Sequence, residues 1–434
     1  MAKCKPYIVR VAVPSPLRRL FDYLVPDTVF QENADHRADV GCRVAVTFGR
    51  REVIGLIIEK ATTSDFDIGK LKPINRLLDS APLVPDQLFE LFGWAANYYQ
   101  YPMGDALFST LPVLLRKGEP LPKLGTRHWR LTQKGKGLGK DSLKRALSQQ
   151  ALVEQLKTTG AVADLVLSKD FSRAILTSLE QKELIECFQK SNTETSVSNI
   201  LKQDALKLHD SQQSALDSIE QHIFNCYLLD GVTGSGKTEI YLQAIEKTLR
   251  YDRQALVLIP EISLTPQTEK RFRDRFNVPI VTLHSGLTDK NRLAAWTSAK
   301  TGEARIILGT RSAVFTPLCQ PGLIIVDEEH DQSYKQHEGF RYSARDLAVI
   351  RARRENISII LGSATPSIES LNNCAADRYQ HLVLTDRAGN AVQPTWSIVD
   401  LKNEQCEAGI AASTLANIRQ TVEQGQQVLV FLNR

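Results

Sequence analysis

The chain has 434 residues, 24% of them charged and 42% hydrophobic, with a formal net charge of +5. These values describe an ordinary multidomain globular protein and exclude a disordered, collagenous or strongly polyelectrolyte chain. No apolar run reaches the roughly 18 residues that a membrane-crossing helix needs, so no membrane partner is expected.

The opening Met-Ala-Lys-Cys-Lys lacks the apolar stretch of a secretory signal. Cysteines stand at 4, 42, 187, 226, 319, 374 and 406, without a close pair. Such spacing argues against a disulfide framework and against a zinc site within these residues, and a cytoplasmic location is the expectation.

Residues 1–110 read as a β-rich module. Ile8–Val13, Val40–Phe48 and Glu52–Glu59 are rich in Val and Ile, partly alternate, and are bounded by Pro14, Pro16 and Gly49. Gly49-Arg-Arg-Glu52 is the expected turn between the last two. From Pro85 to Tyr99, Leu88, Leu91, Phe92, Ala95 and Tyr99 recur at helical spacing. Trp94, Tyr98, Tyr99 and Tyr101 form an aromatic group suited to core packing or, less simply, to base stacking.

Pro112, Pro120 and Pro122 mark a boundary. Lys123, Arg127, Arg130, Lys134, Lys136, Lys140, Lys144 and Arg145 then face a single acid, Asp141. The stripe suits either a phosphate backbone or a solvated linker. Short amphipathic stretches at 143–156, 161–167 and 170–178 are compatible with a winged-helix module. Ser191–Ser198 reads as a linker.

From 205 to about 400 apolar strands alternate with helices, as in an α/β domain with a mostly parallel sheet. The expected strands are 226–229, 255–259, 280–283, 305–308, 323–326 and 358–361; their weak alternation suits burial on both faces. Gly231, Gly236, Lys237 and Thr238 satisfy G-x-x-x-x-G-K-T between the first strand and a helix. In such a loop, glycines let backbone N–H groups converge on phosphates, Lys237 reaches the outer phosphates, and the Thr238 hydroxyl suits Mg²⁺.

Leu323-Ile-Ile-Val-Asp-Glu-Glu-His330 ends an apolar strand in acids. Asp327 is the expected Mg²⁺ carboxylate and Glu328 the group that orients and deprotonates the attacking water, while His330 links the site to neighbouring elements. Ser363-Ala-Thr365 follows the next strand as a coupling element. Gly309-Thr-Arg-Ser312, Pro260-Glu-Ile-Ser-Leu-Thr265 and His284-Ser-Gly286, with Arg311, are candidate grips for a nucleic-acid backbone. Tyr334, His337, Phe340 and Tyr342, interleaved with Lys335, Arg341 and Arg345, are the foremost base-stacking candidates, with ordinary packing as the alternative.

Together these motifs resemble superfamily 2 DNA helicases and, within them, the primosomal replication-restart helicases of the primosomal protein N′ family. The resemblance implies that Gln212, in Leu208-His-Asp-Ser-Gln212, reads adenine, although His209 replaces the Asn or Thr usual there. Gly231, Gly234, Ser235, Gly236, Lys237 and Thr238 then form the phosphate loop, and Asp327-Glu-Glu-His330 the acidic motif. Ser333–Tyr342 corresponds to the aromatic-rich loop that couples single-strand binding to ATP hydrolysis. Ser15–Pro26 resembles the family's cap for a nascent DNA 3′ end, with Phe21, Asp22, Gly49 and Lys72 as pocket residues.

The implied organisation is multidomain α/β. A 3′-end-binding domain would span 1–110, a winged-helix domain with linker 111–195, a RecA-like P-loop lobe 200–400, and the start of a second lobe 401–434. Val428–Arg434 resembles that lobe's opening strand. The rest of the lobe, a two-zinc module and a C-terminal domain are absent, so the expectation is a fragment or truncated product.

The implied cofactors are ATP and Mg²⁺, with zinc only in the missing part. The implied activity is an ATP-dependent 3′-to-5′ DNA helicase that recognises stalled or abandoned forks and initiates primosome assembly. The alternative is a catalytically impaired fork-DNA-binding fragment. Forked and single-stranded DNA, the single-stranded-DNA-binding protein, primosome proteins and the replicative-helicase loader are the implied partners.

Overall fold

The computed structural model describes residues 7–26, 38–122, 126–139, 146–163, 167, 170–190, 200–385, 387 and 395–431. By chain contacts it divides into Met1–Ala388 and Gly389–Arg434. The N-terminal region begins with a five-stranded antiparallel sheet of β1 (Tyr7–Ala12), β2 (Phe21–Val25), β3 (Arg43–Phe48), β4 (Arg51–Ala61) and β5 (Ile74–Leu77), in the order β2-β1-β4-β3-β5. The sheet curls until the chain entering β5 meets β2, where the Leu24 N–H donates to Lys72 O at 3.0 Å. Val9, Val11, Tyr23, Val44, Val46, Ile57 and Ile74 fill the interior. Sequence reasoning located β1, β3 and β4, with Phe48 opposite Arg51 across the Gly49-Arg50 turn, but did not identify β2 and β5 as strands.

The helices that follow do not complete a β-rich module of their own. Asp86–Tyr98, Met103–Thr110 and Val113–Arg116 lie between the curled sheet and the large lobe. Leu88, Leu91, Phe92, Leu107 and Leu115 share one core with Ala12 and Leu56 on one side and Phe315, Ala344 and Leu347 on the other. The Phe92 and Phe315 rings are 5.5 Å apart, the Arg354 Nη1 donates to Glu90 Oε2 at 2.8 Å, and Lys300 Nζ donates to Pro82 O at 2.9 Å.

Next comes a three-stranded antiparallel sheet of β6 (Thr126–Leu131), β7 (Ala161–Ala163) and β8 (Ile185–Lys190), ordered β7-β6-β8. Helices Leu147–Thr159 and Arg173–Gln181 cover it, burying Leu152, Leu156, Leu176 and Leu179 with Trp129. The stretch expected to be amphipathic at 161–167 supplies a strand at its start. Of the basic stripe, Arg130 pairs with Glu186 and Lys134 with Glu183. Lys123, Lys140, Asp141, Lys144 and Arg145 lie outside the described residues, as do the side chain of Arg127 and the expected linker 191–198.

The large lobe is a seven-stranded sheet of β9 (Cys226–Gly231), β10 (Gln254–Leu258), β11 (Ile280–Leu283), β12 (Ile306–Gly309), β13 (Pro321–Val326), β14 (Ser358–Ser363) and β15 (Gln380–Leu384). The order is β11-β12-β10-β13-β14-β9-β15, and every neighbouring pair is parallel. All residues of β10, β12 and β14 are buried, as expected of strands covered by helices on both faces. The edge strand β15, unanticipated from sequence, buries only Leu384 fully.

In the second unit a short hairpin, β16 (Cys406–Glu407) with β17 (Ile410–Ala411), precedes helix Ala412–Glu423. The expected strand from Val428 is not formed in the described residues 428–431: Leu429 and Phe431 are about nine-tenths exposed, with no neighbouring strand to take their backbone bonds.

Arg43 on β3 joins the curled sheet to the helices. Fully buried, it donates to both oxygens of Asp79, at 2.9 Å from Nε and 2.7 Å from Nη2, and its Nη1 donates to Leu115 O and Glu119 O. Removing one member of a buried pair leaves the other uncompensated. Asp79→Ala should therefore lower the stability of the region by about 3–5 kcal/mol. Urea unfolding followed by the fluorescence of the tryptophans checks this; an unchanged midpoint would refute it.

Candidate nucleotide and nucleic-acid site

The loop leaving β9 passes through Gly234 (φ +82°) and Gly236 (φ +83°), left-handed values that side-chain-bearing residues rarely adopt. Helix Lys237–Arg250 starts directly after Gly236, which brings no side-chain cap to the exposed N–H groups of the first turn. Lys237 Nζ donates to Gly231 O at 2.6 Å. Ser235 is buried, and its hydroxyl has no partner among the described residues. A cavity of about 720 Å³ opens here, lined by residues that include Gly234, Ser235, Gly236, Lys237, Thr238, Asp327 and Glu328.

Asp327 lies immediately beyond β13. Its Oδ1 accepts the Tyr241 hydroxyl at 3.1 Å, and its backbone N–H donates to Leu258 O at 2.9 Å. Burial, then the neighbouring Glu328 charge, pushes the Asp327 carboxyl above its ordinary range, while the Tyr241 hydrogen bond opposes the shift. Tyr241 approaches closely enough only because residue 362 is glycine: a Cβ there would lie 1.6 Å from the tyrosine oxygen. Glu328 adopts φ +46°, a left-handed conformation uncommon for a non-glycine residue. The donor set of Thr238 hydroxyl and Asp327 carboxylate is all oxygen and suits Mg²⁺, and the open glycine loop with its uncapped helix start suits a phosphate chain.

His330 bridges to the end of the following strand, β14. Its Nδ1 lies 2.7 Å from Ser363 Oγ, and its Nε2 lies 3.3 Å from Thr365 Oγ1. The intervening Glu329 was missed. Buried at the centre of a clamp, it accepts the Ser367 N–H at 2.6 Å, the Ser370 hydroxyl at 2.9 Å and Arg345 Nη1 at 3.1 Å. The signal available in the sequence was a third consecutive acid directly after a strand expected to be buried on both faces.

Gln212 does not offer a free amide to a base. Its Oε1 accepts the His209 N–H at 2.9 Å, closing the first turn of helix Asp210–Ser218, and its Nε2 donates to Ser235 O at 2.7 Å. It braces the phosphate loop from behind. Gln203, Asp204 and Leu206 line the cavity instead, a segment that carried no recognisable motif.

The aromatic-rich loop also departs from expectation. Tyr334, Phe340 and Tyr342 are buried, so none presents a free face for a base. Phe340 packs 5.4 Å from Tyr101 and 5.3 Å from Tyr342, and Tyr342 lies 4.8 Å from Phe315. The Tyr334 hydroxyl lies 2.6 Å from Asp327 O and 3.0 Å from Leu258 O. Arg311 is committed to the same loop, its Nη1 donating to Ser333 O and Lys335 O. Lys335, His337 and Arg341 remain exposed. Trp94 and Tyr98 stack on each other at 4.7 Å, and Tyr98 is exposed.

At the curled sheet, Lys72 Nζ lies 3.4 Å from Gly49 O, and Phe21 meets Phe48 edge-on at 4.9 Å with the Arg19 guanidinium over its ring. Phe21, Gly49 and Lys72 thus gather at one end of the sheet. Asp22, alternating to the opposite face of β2 from Phe21, pairs with Arg10 at 3.6 Å.

Among the described residues, no three His, Cys, Asp or Glu side chains cluster as metal ligands, and no helix is long and apolar enough to cross a membrane.

Residues 10–112 match the family model of a 3′DNA-binding domain, and 209–374 that of a DEAD/DEAH box helicase. The chain is 45% identical over 98% of its length to the replication restart protein PriA of Haemophilus influenzae, of which it covers 58%. It is 34% identical to the protein of that name in Chlamydia pneumoniae and 31% identical to that in Bacillus subtilis, covering 58% and 60% of them. It therefore spans about three-fifths of the relatives it matches. With this identity sustained along nearly all of its own length, the chain is homologous to the replication restart proteins PriA over the part it shares with them.

Proposed function

We propose that these 434 residues act as a fork-DNA-binding module with an ATP–Mg²⁺ site of impaired hydrolytic power. Within a helicase of the relatives' full length the same parts would serve ATP-driven 3′-to-5′ unwinding and the start of primosome assembly at stalled or abandoned forks. The observation that carries the nucleotide half is the convergence of Lys237, Asp327 and Glu328 on one cavity beside a glycine loop. In the proposed chemistry Lys237 neutralises the outer phosphates, Thr238 and Asp327 hold Mg²⁺, and Glu328 orients and deprotonates water. The bound metal would neutralise charge on the phosphoryl oxygens.

Impairment follows from what lines the cavity. Its cations are Lys237, Arg271 and Arg275, and Arg275 is already held by Glu239 at 2.6 Å. Phosphoryl transfer gains its large accelerations from an arginine facing the γ-phosphate across the cleft, a group another lobe or partner would supply. His330, Ser363 and Thr365 would transmit loss of the γ-phosphate to neighbouring elements.

The proposed division is a 3′-end-binding domain at 1–110, a winged-helix domain with linker at 111–195, a RecA-like lobe at 200–400 and the opening of a second lobe at 401–434. The three-stranded sheet and two helices between Thr126 and Lys190 support the second of these. Phe21, Asp22, Gly49 and Lys72 are proposed to hold a strand's 3′ end, Asp22 exchanging Arg10 for the terminal hydroxyl. Exposed Lys335 and Arg341 would meet DNA phosphates, with Arg311, Tyr334 and Phe340 shaping their loop. A cytoplasmic setting, the single-stranded-DNA-binding protein, primosome proteins and the replicative-helicase loader complete the reading, resting on kinship with the longer relatives.

Three outcomes follow. Fluorescent-nucleotide binding should fall at least about tenfold in Lys237→Ala, the equivalent of ~1.4 kcal/mol. Glu328→Gln should keep nucleotide affinity while abolishing residual turnover; slow turnover in the wild-type chain is itself expected, and rapid fork-stimulated hydrolysis lost in Lys237→Ala would instead make the chain an autonomous enzyme.

A fork whose leading-strand end carries a 3′-hydroxyl should bind more tightly than one ending in 3′-phosphate, and Lys72→Ala should weaken both by about tenfold as a charge-assisted contact is lost. Equal affinity for the two forks would remove the end-binding assignment.

Protonation of Asp327 removes its charge from Mg²⁺. Because its pKa is raised, Mg²⁺-dependent nucleotide affinity should begin to fail, as pH drops, at a higher pH than an ordinary aspartate would give. Tyr241→Phe removes the hydrogen bond that favours the ionised form and should move this midpoint to still higher pH. A midpoint unmoved in titrations of affinity against pH would contradict that role for Tyr241.

A further inference from the structure

A second, smaller cavity of about 50 Å³ lies where the N-terminal region meets the large lobe. Arg116, from the helix Val113–Arg116, forms one side; Arg292 and Trp296, from helix Asp289–Thr301, form another; His284, Ser312 and Thr316, beyond the ends of β11 and β12, contribute the remainder. No carboxylate lines it. Neither arginine is in an ion pair with a described residue: Arg116 Nε donates to Leu111 O at 2.8 Å, and Arg292 Nη2 to His284 O at 3.0 Å and Ser285 O at 3.1 Å. Their proximity is felt: Arg116 keeps an exposed surface, yet partial desolvation and then Arg292 hold its pKa down, with Asp289 opposing. The Trp296 indole N–H is buried and has no acceptor among the described residues.

Two unneutralised guanidinium groups, an indole donor lacking an acceptor and neighbouring hydroxyls make a site short of negative oxygen. A void of this size has room for a tetrahedral oxyanion or one to two waters, but not for a base or sugar. Its position at the carboxyl ends of parallel strands is where such sheets place ligands. One wall comes from Ser109–Arg116, continuous with the stretch matching a 3′DNA-binding domain.

We propose that this cavity seats one phosphodiester group of a DNA strand, held jointly by Arg116, Arg292, the Trp296 indole N–H and the Ser312 hydroxyl. Contact through the backbone makes the seat indifferent to base sequence. Because the N-terminal segment and the lobe each supply an arginine, an occupied seat also fastens the two together. The proposal rests on the DNA-binding reading and extends it: to the backbone grips expected at His284–Gly286 and Gly309–Ser312 it adds Arg116, Arg292 and Trp296.

The test uses the full chain labelled with ¹⁵N at its tryptophan indoles, four signals in all, with Trp296 assigned through Trp296→Phe. A thymidine dodecamer should shift the Trp296 signal, whereas the same oligomer with an uncharged methylphosphonate backbone should not. Arg116→Gln should abolish the shift, lower dodecamer affinity several-fold and reduce the slope of log affinity against log salt by about 0.7, as for one phosphate on a single strand. Its nucleotide affinity should stay at the wild-type value.

Inorganic phosphate separates the possible sources. A shift with phosphate but none with bound dodecamer overturns the DNA assignment, and a response to neither overturns the anion seat. If the chain binds the dodecamer, by anisotropy, without disturbing Trp296, only the seat falls. If it binds neither the dodecamer nor a fork, the seat and the DNA-binding reading fall together.

Discussion

The hydrogen bond from the Tyr241 hydroxyl to Asp327 Oδ1, 3.1 Å, holds the candidate nucleotide site together. Tyr241 belongs to the helix that follows the phosphate loop, while Asp327 closes a strand from the middle of the sheet. The contact fixes a half-buried carboxylate against the element expected to receive phosphates. It also sets the demand for glycine at 362, on the strand between β13 and β9, where a methyl group would collide with the tyrosine oxygen. Helix, acidic strand and coupling strand are therefore tied at one point. Moving any one of them requires breaking that polar contact or opening a gap beside the glycine.

Glu329 ties the same region in another direction. Where Asp327 and Glu328 face the cavity, Glu329 turns inward to Ser367, Ser370 and Arg345. A carboxylate this buried is tolerable because its oxygens are taken up by N–H, hydroxyl and guanidinium donors. Three adjacent acids thus have different settings: two line the cavity, where metal and water roles are proposed for them, and the third is held inside the protein. Their shared charge says nothing of this division; the backbone of the turn decides it, including the left-handed conformation of Glu328.

Much of the large lobe was legible because its strands are buried on both faces. Runs such as Leu323–Val326 and Ser358–Leu361 carry few polar residues to obscure them. The edge strand Gln380–Leu384 was not, since exposed Gln380 and His381 break the apolar signal. The phosphate loop and acidic motif were legible because glycine and carboxylate chemistry there is fixed by local geometry. Gln212, Tyr334 and Phe340 show the converse. A glutamine near a nucleotide loop, or aromatics among cations, carry the same sequence pattern whether they face a ligand or a core. What decides is tertiary: Ser235 O and the His209 N–H claim Gln212, and acceptors at Asp327 and Leu258 let Tyr334 bury its hydroxyl. Asp22 was different again, because alternation along β2 alone separates it from Phe21.

The burial of those aromatics changes how the loop can respond to a DNA strand. Phe340 and Tyr342 sit within a cluster that includes Phe315 from the lobe and Tyr99 and Tyr101 from the N-terminal helices. Aromatic pairs of this kind contribute about 0.5–1.5 kcal/mol each beyond area burial, comparable to the ~1–3 kcal/mol of a base stacked on a protein ring. Exchanging one for the other yields little, whereas Lys335 and Arg341 are exposed and can meet phosphates without disturbing the cluster. A strand arriving here would therefore engage the cations first. Its influence would reach Asp327 through the position of the loop backbone, because Tyr334 anchors that backbone at the Asp327 carbonyl and Arg311 holds it on either side of Tyr334. On this reading the rings keep the lever stiff, and the cations are where it is pushed.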